Sequence, residues 1–274
     1  MHWFTSDFGA SPHVVAVIFS DLQTTDIAAA KIHDATTDDL DHLFFALQFL
    51  KVYPTEGQRQ NKWHQCDRVL RDNCWDLLLR LQALKATKIV WPTAAEIGDN
   101  TWIGTVDGTH VKTQEPTHPD LPKDPKAFSY KSQAAGESYE IAVLLWESRI
   151  IWINGPYPAS YHDARIFAMP GGLAQKLRAS GLKMIGDRGY GGNSDTISTM
   201  NSRDSPEVSK LKTRARMRQE AVNSKIKTLR VTDSNGFRHR GEHTDGQSKF
   251  KICFEAAVVV TQYKMEINEP LFDI

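Results

Sequence analysis

The pattern of apolar residues changes at Trp102-Ile103-Gly104-Thr105-Val106-Asp107-Gly108-Thr109-His110. Upstream, apolar residues recur every three or four positions, which is the spacing of helices. From Trp102 onward, short runs rich in Ile, Val and Trp end in turn residues and indicate strands, with further strands predicted at 139–146, 149–154 and 183–185. Four prolines within residues 116–125 exclude a helix or a central strand there and predict a mobile surface loop. Helical spacing then returns, so this part of the chain is predicted to be an α/β domain.

The segment before this change predicts a small all-α domain. Apolar stripes at residues 43–50 and 69–81 are separated by a turn containing Pro54 and Gly57. We therefore divide the chain into a helical domain at residues 1–95 and an α/β domain at 96–274. Residues 55–81 resemble a helix-turn-helix, with Arg68, Arg71 and Arg80 on the recognition helix. A plain helical bundle is the alternative, because three nearby aspartates cancel much of this positive charge.

Composition excludes several classes of protein. The 274 residues contain 33 Lys and Arg and 33 Asp and Glu, so the chain as a whole is neither a polybasic nucleic-acid coat nor an acidic binder. The longest apolar runs, at 141–146 and 256–260, are far shorter than the roughly 18 residues of a membrane span. The three cysteines have no metal-site spacing, which indicates free thiols in a reducing compartment.

Two aspartates directly follow strand-like runs and have glycine nearby. They are Asp107, in Val106-Asp107-Gly108, and Asp187, in Gly186-Asp187-Arg188-Gly189. An aspartate at the carboxyl end of a strand, with glycine beside it, can point into a crevice where the backbone does not crowd a phosphate or a metal ion. Each motif alone is more often an ordinary turn. Two such strand ends in one domain favour a site for a hard cation.

A third acid, Glu220, lies in the most basic part of the chain. It projects away from the apolar stripe that Val222, Ile226 and Leu229 define on its helix. Residues 203–240 contain eleven Lys and Arg against four acids, a local charge of +7 in a chain of zero net charge. Cations attract a polyanion and a carboxylate can hold a metal, so the segment indicates a phosphate-handling metal site. A solvated basic helix is the alternative.

Four motifs follow one another along the second part of the chain. They are Gly104–His110, Gly155-Pro156 with His162–Phe167, Gly186–Tyr190, and Ala215–Glu220 followed by Asn223 and Lys225–Lys227. In this order and spacing they resemble the DDE transposases of the PIF/Harbinger superfamily. Asp107 and Asp187 are 80 residues apart, and Glu220 follows after a further 33, an interval typical of that family. The likeness extends to residues 49–56 and 88–92, and residues 254–263 and 270–272 are similar to the eukaryotic microbial members, so it covers most of the chain.

The resemblance implies an RNase H-like fold, with a mixed central sheet flanked by helices. It implies that Asp107, Asp187 and Glu220 are the catalytic residues and hold two Mg²⁺ or Mn²⁺ ions. One ion would lower the pKa of a water or of a DNA 3′-hydroxyl, and the other would stabilise the leaving oxygen. We therefore expect a nuclear enzyme that cuts and joins DNA strands.

Further residues are assigned on their position beside these acids. Arg188 is placed to meet a DNA phosphate, and the other predicted DNA-binding residues are Arg214, Arg216, Lys225 and Lys227. Two residues are held in reserve. Ser160 and Asp163 form a helix start signal, so we expect Asp163 to cap the following helix rather than to bind metal. His110 could touch the scissile phosphate, but a histidine in this position is as often structural.

Two alternatives to the transposase remain open. One is a domesticated, transposase-derived DNA-binding protein that no longer catalyses. The other is an RNase H-like nuclease that hydrolyses DNA without strand transfer. The resemblance further implies a separate Myb-like partner protein for DNA recognition, and homo-oligomers are a further expectation.

Overall fold

The computed structural model describes residues 2–28, 37–115, 124–233, 236–239 and 241–274. The chain forms two compact units. Unit 1 takes residues 1–88, 225–235 and 239–269, and unit 2 takes residues 89–224, 236–238 and 270–274. The observed division therefore differs from the predicted one at 95/96, because most of the C-terminal segment joins the helical unit. Most of the predicted proline-rich loop, residues 116–123, lies outside the described residues.

Helices dominate both ends of the chain. They are α1 (His2–Phe8), α2 (Pro12–Ala28), α3 (Thr37–Val52), α4 (Glu56–Trp63), α5 (Asp67–Ala83), α6 (Lys85–Lys88), α7 (Ala94–Ile97), α8 (Asp163–Phe167), α9 (Leu173–Ser180), α10 (Pro206–Lys227) and α11 (Lys249–Ile267). The strands lie between α7 and α10. They are β1 (Trp102–Lys112), β2 (Phe128–Ser129), β3 (Ala134–Leu144), β4 (Ile150–Pro158), β5 (Lys183–Ile185) and β6 (Ile197–Ser198).

Unit 1 is built around the C-terminal helix α11. Nearly every residue of α11 from Phe250 to Met265 is buried, and a helix that is apolar on all sides needs partners on all sides. Helices α5, α2 and α6 supply those partners. This is the physical reason why residues 249–267 belong to the helical unit and not to the α/β domain.

The predicted helix-turn-helix segment consists of α4 and α5, joined by residues 64–66. Helix α5 turns Leu70, Leu77 and Leu81 inward. Its basic side chains pair along the helix surface, Arg68 with Asp72 at 3.6 Å and Arg71 with Asp67 at 2.9 Å. DNA recognition by this pair of helices stays a prediction.

Unit 2 contains a six-stranded mixed sheet. Its order is β2-β3-β1-β5-β6, with β4 also paired to β3. Strand β3 runs antiparallel to β1 and β4, whereas β5 is parallel to β1 and β6 is parallel to β5. A parallel neighbour requires a long crossover, which α8 and α9 provide between β4 and β5. The predicted mixed sheet flanked by helices is thus confirmed.

The two faces of the sheet are packed differently. On one face, Val106, Leu144 and Met184 pack against Phe167 and Leu177 from the crossover helices. On the other face, Leu145 and Ile185 pack against Ala215 of α10. Successive residues of β1 alternate between these faces, so even and odd positions near Asp107 meet different helices. Within the described residues, no helix is long and apolar enough to cross a membrane.

The docking of α11 can be tested through one buried carboxylate of unit 1. Glu255 is 2% exposed and accepts from Lys85 and Gln82, both at 2.8 Å. Lys85→Met should lower the free energy of unfolding by about 1–3 kcal/mol, because the carboxylate loses its cation in a dry environment. Urea denaturation measures the change.

Arg68→Met is the matched control. Arg68 pairs with Asp72 at 3.6 Å, and the Asp72 side chain is 62% exposed. We expect a change below about 1 kcal/mol there. Equal effects of the two substitutions would contradict the burial of Glu255 against α5 and α6.

Candidate active site

Asp107 in β1 and Asp187 just after β5 follow the same pair of residues on two parallel strands. Thr105 of β1 is paired with Ile185 of β5, and each aspartate lies two residues beyond its paired residue. Neighbouring strands are about 4.8 Å apart, so the two acids share one end of the β1–β5 pair. The expectation that both follow a strand end is correct only for Asp187. Asp107 lies within β1, which continues to Lys112 along β3, while β5 stops at Ile185 and leaves that side open.

Backbone amides orient both carboxylates. Asp107 Oδ1 accepts from the Gly108 amide at 2.9 Å. Asp187 Oδ1 accepts from the Gly189 amide at 2.7 Å, and the side chain thereby caps the short turn Arg188–Tyr190. Each carboxylate is thus oriented by a nearby backbone amide, and its remaining oxygen lone pairs can bind a ligand.

Helix α10 brings Glu220 to the same place. Gln219 is buried against the sheet, where its Oε1 accepts from Thr105 Oγ1 at 2.7 Å and its Nε2 donates to the Ile141 carbonyl at 3.3 Å. One turn later, Asn223 Nδ2 donates to Asp107 Oδ2 at 2.9 Å. These contacts fix the rotation of α10, and Glu220 is exposed between them.

The three acids line a single cleft of about 220 Å³. This volume can hold ions and a phosphate group, but it is small for a whole nucleotide. Two cationic side chains, Lys131 and Arg216, line the same cleft. The complete lining is Thr105, Val106, Asp107, Gly108, Lys131, Ile185, Asp187, Arg216, Gln219 and Glu220.

Asp163 is also drawn to this place, contrary to the capping role expected from its sequence. It is the first residue of α8, whose N-cap is His162, and no side chain caps that helix. Its carboxylate instead lies over Gly108, where a Cβ would stand 2.1 Å from Asp163 Oδ1, and beside Gly189, where a Cβ would stand 3.2 Å from Oδ2. The two glycines are therefore needed because this carboxylate uses the space of their side chains.

The concentration of acids changes their proton affinity. Burial, followed by the charges of Asp163 and Asp187, raises the pKa of Asp107 to about 6. Burial also raises the pKa of Asp163, against the opposing effect of Lys131. Glu140, which pairs with Gly108 across the sheet, is 1% exposed, and burial raises its pKa to about 8. Burial, with a smaller contribution from neighbouring acids, thus opposes the ionised forms of these carboxyls.

The predicted DNA-binding residues fall into two groups. Arg188, Arg216 and Lys227 are exposed. Arg214 donates to the Asp273 carbonyl and lies over the Phe272 ring, and Lys225 pairs with Glu269 at 3.0 Å. Other cations of the basic segment are also engaged internally, since Arg218 and Lys212 are both buried. The net charge of +7 counted over residues 203–240 is therefore larger than the positive charge that is available to bind DNA.

Three residues of this region were given no role from the sequence. Asn223 was named only as part of a motif, although it lies three positions after Glu220, a helical spacing that could have placed it on the same side. Glu140 is an acid within an apolar strand run, which is a signal for a buried polar group. Lys131 gave no signal, because it belongs to a turn with no motif of its own. His110 is placed against Ser132, with Nε2 and Oγ 3.0 Å apart, and does not line the cleft.

The donor set is chemically suited to a hard divalent cation. Mg²⁺ and Mn²⁺ prefer carboxylate and amide oxygens, and Asn223 Oδ1 beside Asp107 is buried without a hydrogen-bond partner. Nowhere in the described ranges do three or more His, Cys, Asp or Glu side chains stand close enough together to hold a metal ion. The acids line the walls of the cleft and leave space between them.

The raised pKa of Asp107 makes a prediction about stability. Below about pH 4 the carboxyl is protonated in both states, and between pH 4 and 6 only the unfolded state ionises, so stability falls as pH rises. Asp107→Asn should remove this fall and make the protein more stable above pH 6 by a few kcal/mol, with no gain at pH 4. Denaturant titrations at pH 4, 5, 6 and 7 measure it, and a constant difference across this range would contradict the assignment.

The comparison with known proteins agrees with this geometry. Residues 106–239 match the family model described as DDE superfamily endonuclease, and this stretch includes Asp107, Asp163, Asp187 and Glu220. No curated protein and no solved structure matches the chain. The part of the chain that forms the cleft is thus similar to the DDE superfamily endonucleases.

Proposed function

We propose that the protein is a metal-dependent DNA endonuclease of the DDE transposase type, related to the PIF/Harbinger group and with an RNase H-like catalytic unit. The observation that carries this proposal is the placement of three acids. Asp107 and Asp187 each lie two residues beyond the last pair of the adjacent parallel strands β1 and β5, and Glu220 of α10 lines the same cleft. The match of residues 106–239 to the DDE superfamily endonucleases supports the same activity.

Each side chain has a separate task in this proposal. Asp107, Asp187 and Glu220 hold the cations, Asn223 fixes Asp107, and Asp163 is a fourth carboxylate that lies against Gly108 and Gly189, next to the cleft. Two Mg²⁺ or Mn²⁺ ions, when bound, supply the Lewis acidity that activates a water or a DNA 3′-hydroxyl and neutralises the leaving oxygen. Arg216 at the cleft and Arg188 beside Asp187 attract the phosphodiester.

Substitution of the acids separates catalysis from binding. Asp107→Asn, Asp187→Asn and Glu220→Gln should each lower the rate of DNA cleavage by at least about 100-fold and change affinity for DNA little, since each removes an oxygen ligand and no phosphate contact. Cleavage of a labelled duplex in Mg²⁺ or Mn²⁺ and anisotropy titrations measure the two properties. Asp195→Asn, at an exposed acid paired with Arg178, is the control and should cleave normally.

The same assays distinguish the alternatives. A wild-type chain that binds DNA but cleaves nothing at any metal concentration is a domesticated DNA-binding protein. Cleavage without joining to a 3′-hydroxyl donor identifies a nuclease without strand transfer. Full activity of Glu220→Gln together with an inactive Asp163→Asn would transfer the role of third acid to Asp163.

DNA affinity should depend on the exposed cations. Reversing Arg188, Arg216 and Lys227 to Glu should weaken binding and reduce the salt slope by about one for each lost phosphate contact. Reversing Arg214 and Lys225 should change the slope less, because both already have partners within the protein. Affinities measured between 50 and 300 mM salt test this, and equal slopes for the two sets would contradict it.

The helical unit supports the proposal of a DNA-binding partner. The charges of Arg68, Arg71 and Arg80 in α5 are balanced by aspartates one turn away. A surface with so little net charge attracts DNA weakly. We therefore include a Myb-like partner protein in the proposed function. Self-association and action in the nucleus are included on the resemblance to the PIF/Harbinger transposases alone. Reversal of Arg68 and Arg71 to Glu, compared with the set above, tests whether α5 itself binds DNA.

A further inference from the structure

The turn between β2 and β3 reaches the candidate active site. It is held in shape by its own hydrogen bonds, from the Ser132 amide to Ser129 Oγ at 3.3 Å and from Gln133 Nε2 to the Tyr130 carbonyl at 2.6 Å. The contact between Ser132 Oγ and His110 Nε2, at 3.0 Å, ties it to β1. This turn, residues 129–133, is therefore attached to the strand that carries Asp107.

Lys131, at the middle of the turn, points its charge at the acids. It lines the cleft together with Asp107, Asp187 and Glu220. Its charge lowers the pKa values of Asp107 and Asp163 against the effect of burial. A phosphate drawn to cations at the acids would lie within reach of this ammonium group, which can donate to phosphate oxygens.

Tyr130, the residue before Lys131, does not line the cleft and faces solvent. Its side chain is 82% exposed, the highest exposure among the large apolar and aromatic residues of the described chain. Phe128 holds one edge of the ring, with centroids 5.4 Å apart and planes at 81°. An aromatic ring exposed to solvent, next in sequence to a lysine that lines the cleft, offers the two contacts that single-strand binding proteins use, with the base stacked on the ring and the cation on the phosphate backbone.

We propose that residues 129–133 grip an unpaired nucleotide beside the scissile phosphate, with Lys131 on the phosphate and Tyr130 stacked on the base. The proposal rests on the proposed nuclease function of the same cleft and specifies its substrate. A base in an intact duplex is already stacked on both faces, so only an unpaired or displaced base can use the tyrosine ring. The favoured substrate is DNA that is unpaired at the cleavage position.

The experiment compares two DNA probes with the full chain. One is a fluorescent 30-base-pair duplex, and the other is the same duplex with three mismatched pairs at its centre, both titrated in EDTA so that neither is cleaved. Tyr130→Ala should weaken binding of the mismatched probe at least about fivefold and change binding of the duplex less than twofold. Tyr130→Phe keeps the ring and should bind like the wild type.

The lysine has its own matched pair of variants. Lys131→Ala should weaken binding of both probes and lower the salt slope by about one. Lys126→Ala, at an exposed lysine five residues earlier, should change neither. Thermal melts of the Tyr130 and Lys126 variants should agree with the wild type, since both side chains are exposed.

Each result supports or contradicts nucleotide binding by the turn at residues 129–133. Equal effects of Tyr130→Ala on the two probes, no effect on either, or a loss in Tyr130→Phe as large as in Tyr130→Ala would overturn it. Loss of the preference for mismatched DNA in Tyr130→Ala, in a protein that never cleaves, supports the turn and contradicts the nuclease. Cleavage that is indifferent to Tyr130 supports the nuclease and contradicts the turn.

Discussion

The pairing of Thr105 with Ile185 is the constraint on which the candidate site depends. Parallel strands are locked by evenly spaced hydrogen bonds, and a shift of one residue would turn every side chain to the other face of the sheet. In the observed register, Asp107 and Asp187 each follow the last pair, Thr105 and Ile185, by two residues, and both line the same cleft. With β5 ending at Ile185, nothing from that strand covers the space next to Asp107. One alignment of backbone hydrogen bonds thus sets the distance between two acids that are 80 residues apart in the chain.

The site gathers acids at an energetic cost. Burial and mutual repulsion raise the pKa of Asp107 to about 6, and they oppose the ionised form of Asp163 as well. The apolar cores on both faces of the sheet stabilise the fold and offset this cost. Glycines at 108 and 189 remove the side chains that would otherwise collide with the Asp163 carboxylate. Strain and charge concentrated in this way are common at functional sites, where ligand binding relieves them.

Helix α10 divides its polar residues between support and function. Gln219 and Asn223 bond to the sheet, and Arg218 donates to the Glu147 carbonyl at 2.6 Å and to the Phe272 carbonyl. These anchors leave Arg216 and Glu220 free to line the cleft. The helix is amphipathic in an unusual sense, because its buried side includes two amides and a guanidinium that hydrogen-bond to backbone and side chains, while Asn223 Oδ1 and Arg218 Nε are buried without a partner.

The sequence by itself determined much of the local structure. Short apolar runs bounded by turn residues predicted the core of strands β1, β3 and β4 and the exact bounds of β5, Lys183–Ile185. The position of Glu220 off the stripe of Val222 and Ile226 follows from helical geometry alone. Only the tertiary structure decided four other outcomes. Asp163 lies beside the other acids and does not cap its helix, and Lys131 lines the cleft. Arg214 and Lys225 already have partners within the protein, and α11 belongs to the helical unit. The reason is physical: periodicity reports which side of an element is apolar, whereas these four outcomes depend on contacts between segments far apart in sequence, which exist only once strand register and helix packing are set.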